Sequence, residues 1–333
     1  MVGYMGEEGM SVLLLLMGCV TDKELAEWLS QGAQNSKNVD TNSDSDTDSD
    51  SDTDTDSDTD ITIPLGTYVN LGSTGIDFIE LSPGSFLMGC TDGQSDCDSD
   101  EVLHWVNLTH SFEVSQTEVT QEQFEALAGY QPSYFSGCPT CPVEQVSWHE
   151  SAWYANLVSE QMGLPDCYIC TGSGTSVDCE VPTDLYSCTG YRLLTEAEWE
   201  YAARCGEDTL YSGSDNIDEV AWYDDNSGRE THPVGQKDPN ACDLYDMSGN
   251  VFEWTHDWYG DYVTSGDNCP AGNTFNADSC KDPQGNLTGS NRVSRGGSWV
   301  TSPVYTRSAS RDGFTPGNRS SSLGFRLARS VFP

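Results

Sequence analysis

The sequence predicts an α+β domain built largely of irregular loops and stapled by disulfides, and three observations carry that prediction. Thr120-Gln-Glu-Gln123, Ser147-Trp-His-Glu150 and Thr195-Glu-Ala-Glu198 each have the form of a capping box, in which a hydroxyl caps a helix start and the third residue reaches back. Between and beyond these helices the chain is punctuated by 32 Gly and 14 Pro, together with many Asn and Asp, so only short strands fit. Thirteen cysteines are more than a cytosolic chain carries and point to an oxidising compartment.

At the N-terminus, Leu13-Leu-Leu-Leu-Met-Gly-Cys19 reads as an apolar stretch closing on the Leu-x-Gly-Cys pattern of a bacterial lipoprotein signal. Residues 1–19 are therefore the expected signal, with Cys19 the lipidated residue. No Lys or Arg precedes the apolar run, and Glu7 and Glu8 stand where a basic segment is normal. Removing Cys19 leaves twelve cysteines, the even number that six disulfides require. Residues 20–60 form a tether: from 41 to 60 Asp alternates with Ser or Thr, and a segment with no apolar side chain is expected to stay disordered and extended by self-repulsion.

The folded domain is expected over 61–333. Ile76 to Met88 contains two short apolar alternations around Pro83-Gly84 and reads as a hairpin. Three helices follow from the capping boxes, the last stopping near Gly206. After that helix the chain is nearly all turns, with short strands over 292–300 and 324–328. No apolar run reaches the roughly 20 residues of a membrane-spanning helix.

The charge is strongly one-sided. The chain has 54 acids and 14 bases, net −40. Fifteen of the acids and two of the bases fall in 1–60, which leaves 39 acids, 12 bases and a net charge of −27 for 61–333. This excludes an electrostatic nucleic-acid binder, disfavours anionic lipid surfaces and favours cationic ligands.

The expected disulfide cysteines are Cys90, Cys97, Cys138, Cys141, Cys167, Cys170, Cys179, Cys188, Cys205, Cys242, Cys269 and Cys280. Short spacings suggest Cys90 with Cys97, Cys138 with Cys141, and Cys269 with Cys280. Cys167, Cys170, Cys179 and Cys188 sit together in a Gly/Ser-rich insertion, their pairing open, and Cys205 and Cys242 remain for each other. A zinc knot at the four-cysteine cluster is the competing reading, and export disfavours it.

A series of phrases then carries a resemblance. They are Thr117-Glu-Val-Thr120, Pro142-Val-Glu-Gln-Val-Ser-Trp148, Tyr191-Arg-Leu-Leu-Thr-Glu-Ala-Glu-Trp-Glu-Tyr-Ala-Ala-Arg204, Asp243-Leu-Tyr-Asp-Met-Ser-Gly-Asn-Val-Phe-Glu-Trp254, Arg295-Gly-Gly-Ser-Trp299 and Gly324-Phe-Arg326. In this order and spacing the chain resembles the sulfatase-modifying factor family, whose best-known member is the formylglycine-generating enzyme. The resemblance spans about 74–330 and implies an irregular C-type lectin-like fold with bound calcium. In the family's oxidase, O2 and a copper ion held by two cysteine thiolates convert a sulfatase cysteine to formylglycine.

Against that pattern, the two copper-binding places fall on Thr301 and Thr306, and no cysteine follows Cys280. Threonine hydroxyls are poor ligands for Cu(I), which prefers soft thiolates, so copper and the oxidase chemistry are not expected. Phe252 stands where the family usually has Trp beside the active site. Ser298 matches the pattern but has no evident base partner, so it is not read as a nucleophile. For calcium, the resemblance implies the side chains of Asp246 and Glu253 with the backbone carbonyls of Gly249 and Val251, an oxygen set that suits the ion.

Eight of the twelve bases in 61–333 fall after residue 280. They read either as internal ion pairs or as an arginine-lined groove for carboxylate or peptide groups, with Arg307, Arg311 and Arg326 the groove candidates. Taken together, the sequence predicts an exported lipoprotein of the bacterial cell envelope, anchored at the outer membrane, whose domain is a non-oxidase binding or scaffold module for protein or peptide ligands. The alternative is a diverged enzyme of the same family.

Overall fold

The computed structural model describes residues 67–331 apart from 72–73, 91–93, 95, 182–184, 263–268 and 270–279. The expected signal with Cys19 and the tether over 20–60 lie outside the described residues, as does the start of the folded domain expected at 61.

The main sheet has five antiparallel strands in the order Thr67–Leu71 (β1), Ile76–Leu81 (β2), Ser111–Ser115 (β5), Ala328–Val331 (β15) and Tyr191–Arg192 (β8). A separate pair joins Gly84–Met88 (β3) to His104–Leu108 (β4). The expected strands on either side of Pro83-Gly84 thus exist, but they do not pair with each other. A two-residue hairpin turn needs positive φ at its first central position or at both; Pro83 excludes the second kind, and Ser82, which is not glycine, does not take positive φ for the first. The linker instead carries the chain from one sheet to another.

The three expected helices are Gln121–Ala128 (α1), Trp148–Gln161 (α2) and Glu196–Arg204 (α3), each with both halves of its capping box formed. α3 ends one residue earlier than Gly206 suggested, on Cys205 in the left-handed region at φ 45°. A short turn of helix, Ile217–Val220 (α4), precedes Ala221–Trp222 (β9), which pairs in parallel with Ser248–Gly249 (β10). A four-stranded sheet orders Arg311–Phe314 (β13), Arg292–Arg295 (β12), Phe252–Trp258 (β11) and Leu323–Gly324 (β14). The strand expected over 292–300 ends at Arg295 because Gly296 and Gly297 turn the chain at φ 88° and 72°. Residues 324–328 mark the join between β14 and β15 rather than one strand.

The core falls into two clusters. Trp148, Ala152, Tyr154, Ala155 and Val158 on α2 pack with Phe124, Tyr191, Trp254 and Phe325, while Trp199, Ala202 and Ala203 on α3 pack with Ile79, Leu81 and Val114 of the main sheet. The inserted hairpin, Ile169–Thr171 (β6) with Asp178–Glu180 (β7), lies against α2, where the Asn156 amide donates to the Tyr168 carbonyl at 2.8 Å.

All twelve expected cysteines pair within the domain. The bridges are Cys90–Cys97, Cys138–Cys141, Cys167–Cys188, Cys170–Cys179, Cys205–Cys242 and Cys269–Cys280. The four-cysteine insertion is therefore doubly bridged rather than a metal knot. Six disulfides persist only in an oxidising compartment, which marks the protein as exported.

Candidate functional site

The segment after β12 folds back on itself. A Cβ at Gly297 would strike Thr306 Cγ2 at 2.6 Å and the Tyr305 carbonyl at 2.7 Å, so only glycine lets the two copper-equivalent positions share one tight loop. Thr301 Oγ1 accepts from the Ser298 N–H at 2.9 Å and donates to the Ser298 carbonyl at 3.0 Å. Thr306 is buried and its hydroxyl donates to the Pro303 carbonyl at 2.9 Å. Both hydroxyls are therefore engaged in closing turns. Ser298 Oγ is buried and has no hydrogen-bond partner among the described residues. Phe252 is buried edge-on to Phe314, ring centroids 5.9 Å apart.

A second locus gathers three buried carboxylates around one guanidinium. Asp246 Oδ2 accepts from the Gly235 N–H at 2.7 Å, whereas its Oδ1 is buried without a partner among the described residues. Glu118, which sequence reasoning did not single out, accepts from Asn250 Nδ2 at 2.9 Å and from the Val251 N–H at 3.2 Å. Glu253 is gripped by Arg326 and also accepts from Trp199 Nε1 at 2.7 Å. Burial, opposed by the Gly235 hydrogen bond and Arg326, pushes the Asp246 carboxyl up to about 6. Burial first, then the neighbouring Asp246 and Glu253, holds Glu118 well above the usual carboxylate range.

This locus fits a divalent cation. Three carboxylates outnumber the single arginine, and Asp246 Oδ1 is an acceptor that nothing among the described residues satisfies. The turn that carries it is built for close approach, with Asp246, Gly249 and Asn250 all at positive φ and Gly249 pressed against the Trp222 carbonyl. Glu253 differs from the sequence expectation in that both its oxygens already accept from Arg326. Glu118 was legible only as part of the Thr117-Glu-Val-Thr120 phrase, since its 132-residue separation from Asn250 gives no local signal.

The arginine groove needs correction. Arg307 is buried and forks onto Glu101 at 2.6 and 2.7 Å. Arg311 is buried and forks onto Glu196 at 2.6 and 2.8 Å. Arg326 is fully buried against Glu253. A guanidinium in the interior is costly unless a carboxylate matches it, and each of these three finds one. These three arginines present no free donor fork to a ligand.

The surface beside the 297–306 loop is aromatic instead. Phe135 sits between Tyr134 and Trp299, edge-on to both, at 5.0 and 5.2 Å between ring centroids. Trp299 is fixed by its Nε1 donating to the Ser321 carbonyl at 2.8 Å. The loop that carries Tyr134 and Phe135 leads into the Cys138–Cys141 bridge and is held by Glu144 Oε1, which accepts from the Phe135 N–H at 2.8 Å. Glu144 is buried, and burial pushes its carboxyl up to about 7 against the backbone hydrogen bonds that favour its charged form. Sequence reasoning passed over this ledge; an aromatic pair between Pro132 and Cys138, in a loop too short to bury it, was the available sign.

Two further clusters among the described residues have the composition of metal sites, His104 with Cys269 and Cys280, and Glu101 with Cys90 and Cys97. In both the cysteines are oxidised to a disulfide, which offers no thiolate.

This α+β fold, short on helix, loop-rich and repeatedly bridged, with turns at 246–253 and 295–306, defines a domain of the formylglycine-generating-enzyme type. The model of the sulfatase-modifying factor enzyme 1-like domain matches residues 71–331, and the chain belongs to that family. The chaperone protein LppX of Paenibacillus barcinonensis is 35% identical over 254 residues, covering 67% of this chain and 82% of that protein. The formylglycine-generating enzyme of Streptomyces coelicolor is 30% identical over 292 residues, covering 76% and 89%. The chain spans only 38% of the serine/threonine-protein kinase pkn1 of Chlamydia caviae, at 30% identity. Among solved structures, Treponema denticola variable protein 1 superposes with a TM-score of 0.68 at 33% identity, over 80% of this chain and all of that one.

Proposed function

We propose that the domain is a non-oxidase binding or scaffold module that takes protein or peptide ligands on the face around the 297–306 loop. The observation that carries this reading is the use of both threonine hydroxyls, at the places of the family's copper thiolates, to close turns on Ser298 and Pro303. Hard, neutral and already hydrogen-bonded, they lack the softness and charge that hold Cu(I). The aromatic ledge alongside, with Tyr134 exposed and Phe135 and Trp299 half-buried, gives the same face a means of binding without chemistry. Similarity to a protein named as a chaperone supports a binding role. A diverged enzyme of the family is the competing reading, and similarity to formylglycine-generating enzymes favours it.

Calcium is part of the proposal. Asp246 and the carbonyls of Gly249 and Val251 would hold it, while Glu253, the second carboxylate expected, has both oxygens on Arg326 and would act only by facing the site. The ion would neutralise the excess of buried carboxylates and brace the turn that lies beside the 297–306 loop, where the Gly249 N–H donates to the Gly296 carbonyl at 2.7 Å. Anchoring through a lipidated Cys19 at the outer membrane completes the reading. Fractionation of cells expressing Cys19→Ser tests the anchor: loss of membrane retention is expected, and unchanged retention would remove it. Peptide-array binding to the purified domain, compared with turnover of a cysteine peptide, tests the module against the enzyme.

A further inference from the structure

Exposed apolar side chains are concentrated beside the copper-equivalent loop. Of five large apolar residues exposed among the described residues, Tyr134 at 70%, Val300 at 51% and Tyr305 at 49% belong to the ledge loop and the 297–306 loop. Phe135 joins the first to Trp299, so the patch is continuous from one loop to the other. Its parts are also held in place: the Glu144 hydrogen bond fixes Phe135 and the Trp299–Ser321 hydrogen bond fixes Trp299 before any ligand arrives. An exposed apolar patch held in this way on a folded domain marks a contact surface.

The charge around the patch selects the partner. On one side the ledge loop and α1 enclose an open groove of about 430 Å3 whose lining includes Gln121, Glu122, Glu125, Gln131, Gly137 and Pro139, without a basic residue. Glu122 and Glu125 are exposed, one helical turn apart. On the other side the turn at 224–230 is tied to the loop by two hydrogen bonds, Asp224 N–H to the Thr301 carbonyl at 3.1 Å and Ser227 Oγ to the Trp299 carbonyl at 2.7 Å. That turn exposes Asp224, Asp225 and Glu230 against one exposed arginine, Arg229. Arg307, which directly follows the 297–306 loop, is buried and paired with Glu101.

We infer that the aromatic ledge of Tyr134, Phe135 and Trp299, flanked by these two acidic rims, binds a cationic peptide segment, its Lys or Arg side chains lying over the rings and against the carboxylates. This rests on the binding-module reading and adds the chemistry of the partner. Aromatic faces attract guanidinium and ammonium groups, and a field of one sign raises the encounter rate with the opposite one.

The test is calorimetric titration of the purified domain with three synthetic peptides of equal length, one rich in Arg and Lys, one with those residues replaced by Gln, and one with them replaced by Glu. Saturable binding of the cationic peptide is expected, about tenfold weaker for the neutral one and absent for the anionic one, and weakened by added salt. Tyr134→Ala, at an exposed position that folding does not need, should weaken the cationic peptide by up to about tenfold, and Trp299→Ala should do the same. Glu160→Gln, an exposed carboxylate near the end of α2, should leave it unchanged. Equal weakening by Glu160→Gln and Tyr134→Ala would show diffuse charge attraction and overturn the inference, as would no binding by any peptide. If the neutral or anionic peptide binds as well as the cationic one and Trp299→Ala abolishes it, the inference fails while the binding module stands. If the domain turns over a cysteine peptide instead, the module reading itself fails.

Discussion

Arg326 holds Glu253 through two parallel hydrogen bonds, Nε to Oε2 and Nη2 to Oε1, each 2.7 Å long, with both side chains buried. The pair joins β11 to the segment just before β15, and Trp199 from α3 completes it. It ties together one residue that sequence reasoning gave to a ligand groove and one that it gave to a calcium site. Removing one partner leaves an uncompensated buried charge. Arg326→Met should therefore lower the unfolding free energy by about 3–5 kcal/mol, and adding Glu253→Gln should recover part of that loss. Denaturant unfolding of both variants checks this; additive losses in the double variant would show that the two do not act as a pair.

Calcium and protons should compete at Asp246. Its carboxyl sits at about 6 when folded against an ordinary 3.8. The folded state therefore binds more protons between those values, and without calcium the contribution of this group to stability falls as pH rises from about 4 to 6. The whole effect is on the order of 3 kcal/mol. Calcium should restore it, so the gain in melting temperature on adding calcium should be larger at pH 7.5 than at pH 5, and Asp246→Asn should remove the pH dependence of that gain. Melting curves with calcium and with chelator at both pH values decide the matter; equal curves would mean that the turn holds no ion.

Glu144 gives a second proton-linked signal, under the aromatic ledge. Its carboxyl sits at about 7 instead of 4.5, so stability from this group is lost as pH rises from about 4.5 to 7. Glu144→Gln keeps an acceptor for the Phe135 N–H and cannot ionise. The stability of the variant relative to wild type should move in the variant's favour between pH 5 and pH 8. A constant difference across that range would show that the carboxylate is already charged at pH 5.

Six disulfides predict no free thiol in the exported domain. Cys205–Cys242 closes the longest of the loops, 37 residues apart, and its removal by Cys205→Ser with Cys242→Ser should cost about 2–5 kcal/mol. Mass spectrometry of unreduced protein and unfolding of the double variant test both statements; two free thiols in the wild type would contradict the first.

What the sequence made legible was local. The capping hydroxyls of Thr120, Ser147 and Thr195 lie three residues from their partners, and all three boxes form. Short-range cysteine pairs were equally plain. Strand partnership was not: β2 and β3 are neighbours in sequence, yet their partners come from β1 and β5 in one case and β4 in the other, chosen by burial that no short window shows. The arginines failed for the same reason. Arg307 meets Glu101 across 206 residues, so a count of basic residues late in the chain could not reveal whether they face a ligand or the interior. The ledge at Tyr134 and Phe135 depends on Trp299, more than 160 positions away, and emerged only from the fold.

Thr301 and Thr306 supply no thiolate to hold copper, and one measurement tests directly whether the domain is therefore without oxidase activity. Copper-loaded protein is incubated under air with a Cys-x-Pro-x-Arg peptide, and the peptide mass is followed. With both hydroxyls closing turns on Ser298 and Pro303, no aldehyde should accumulate beyond a copper-only control. Repeated turnover of the peptide to the aldehyde would contradict the account and return the protein to the oxidases of its family.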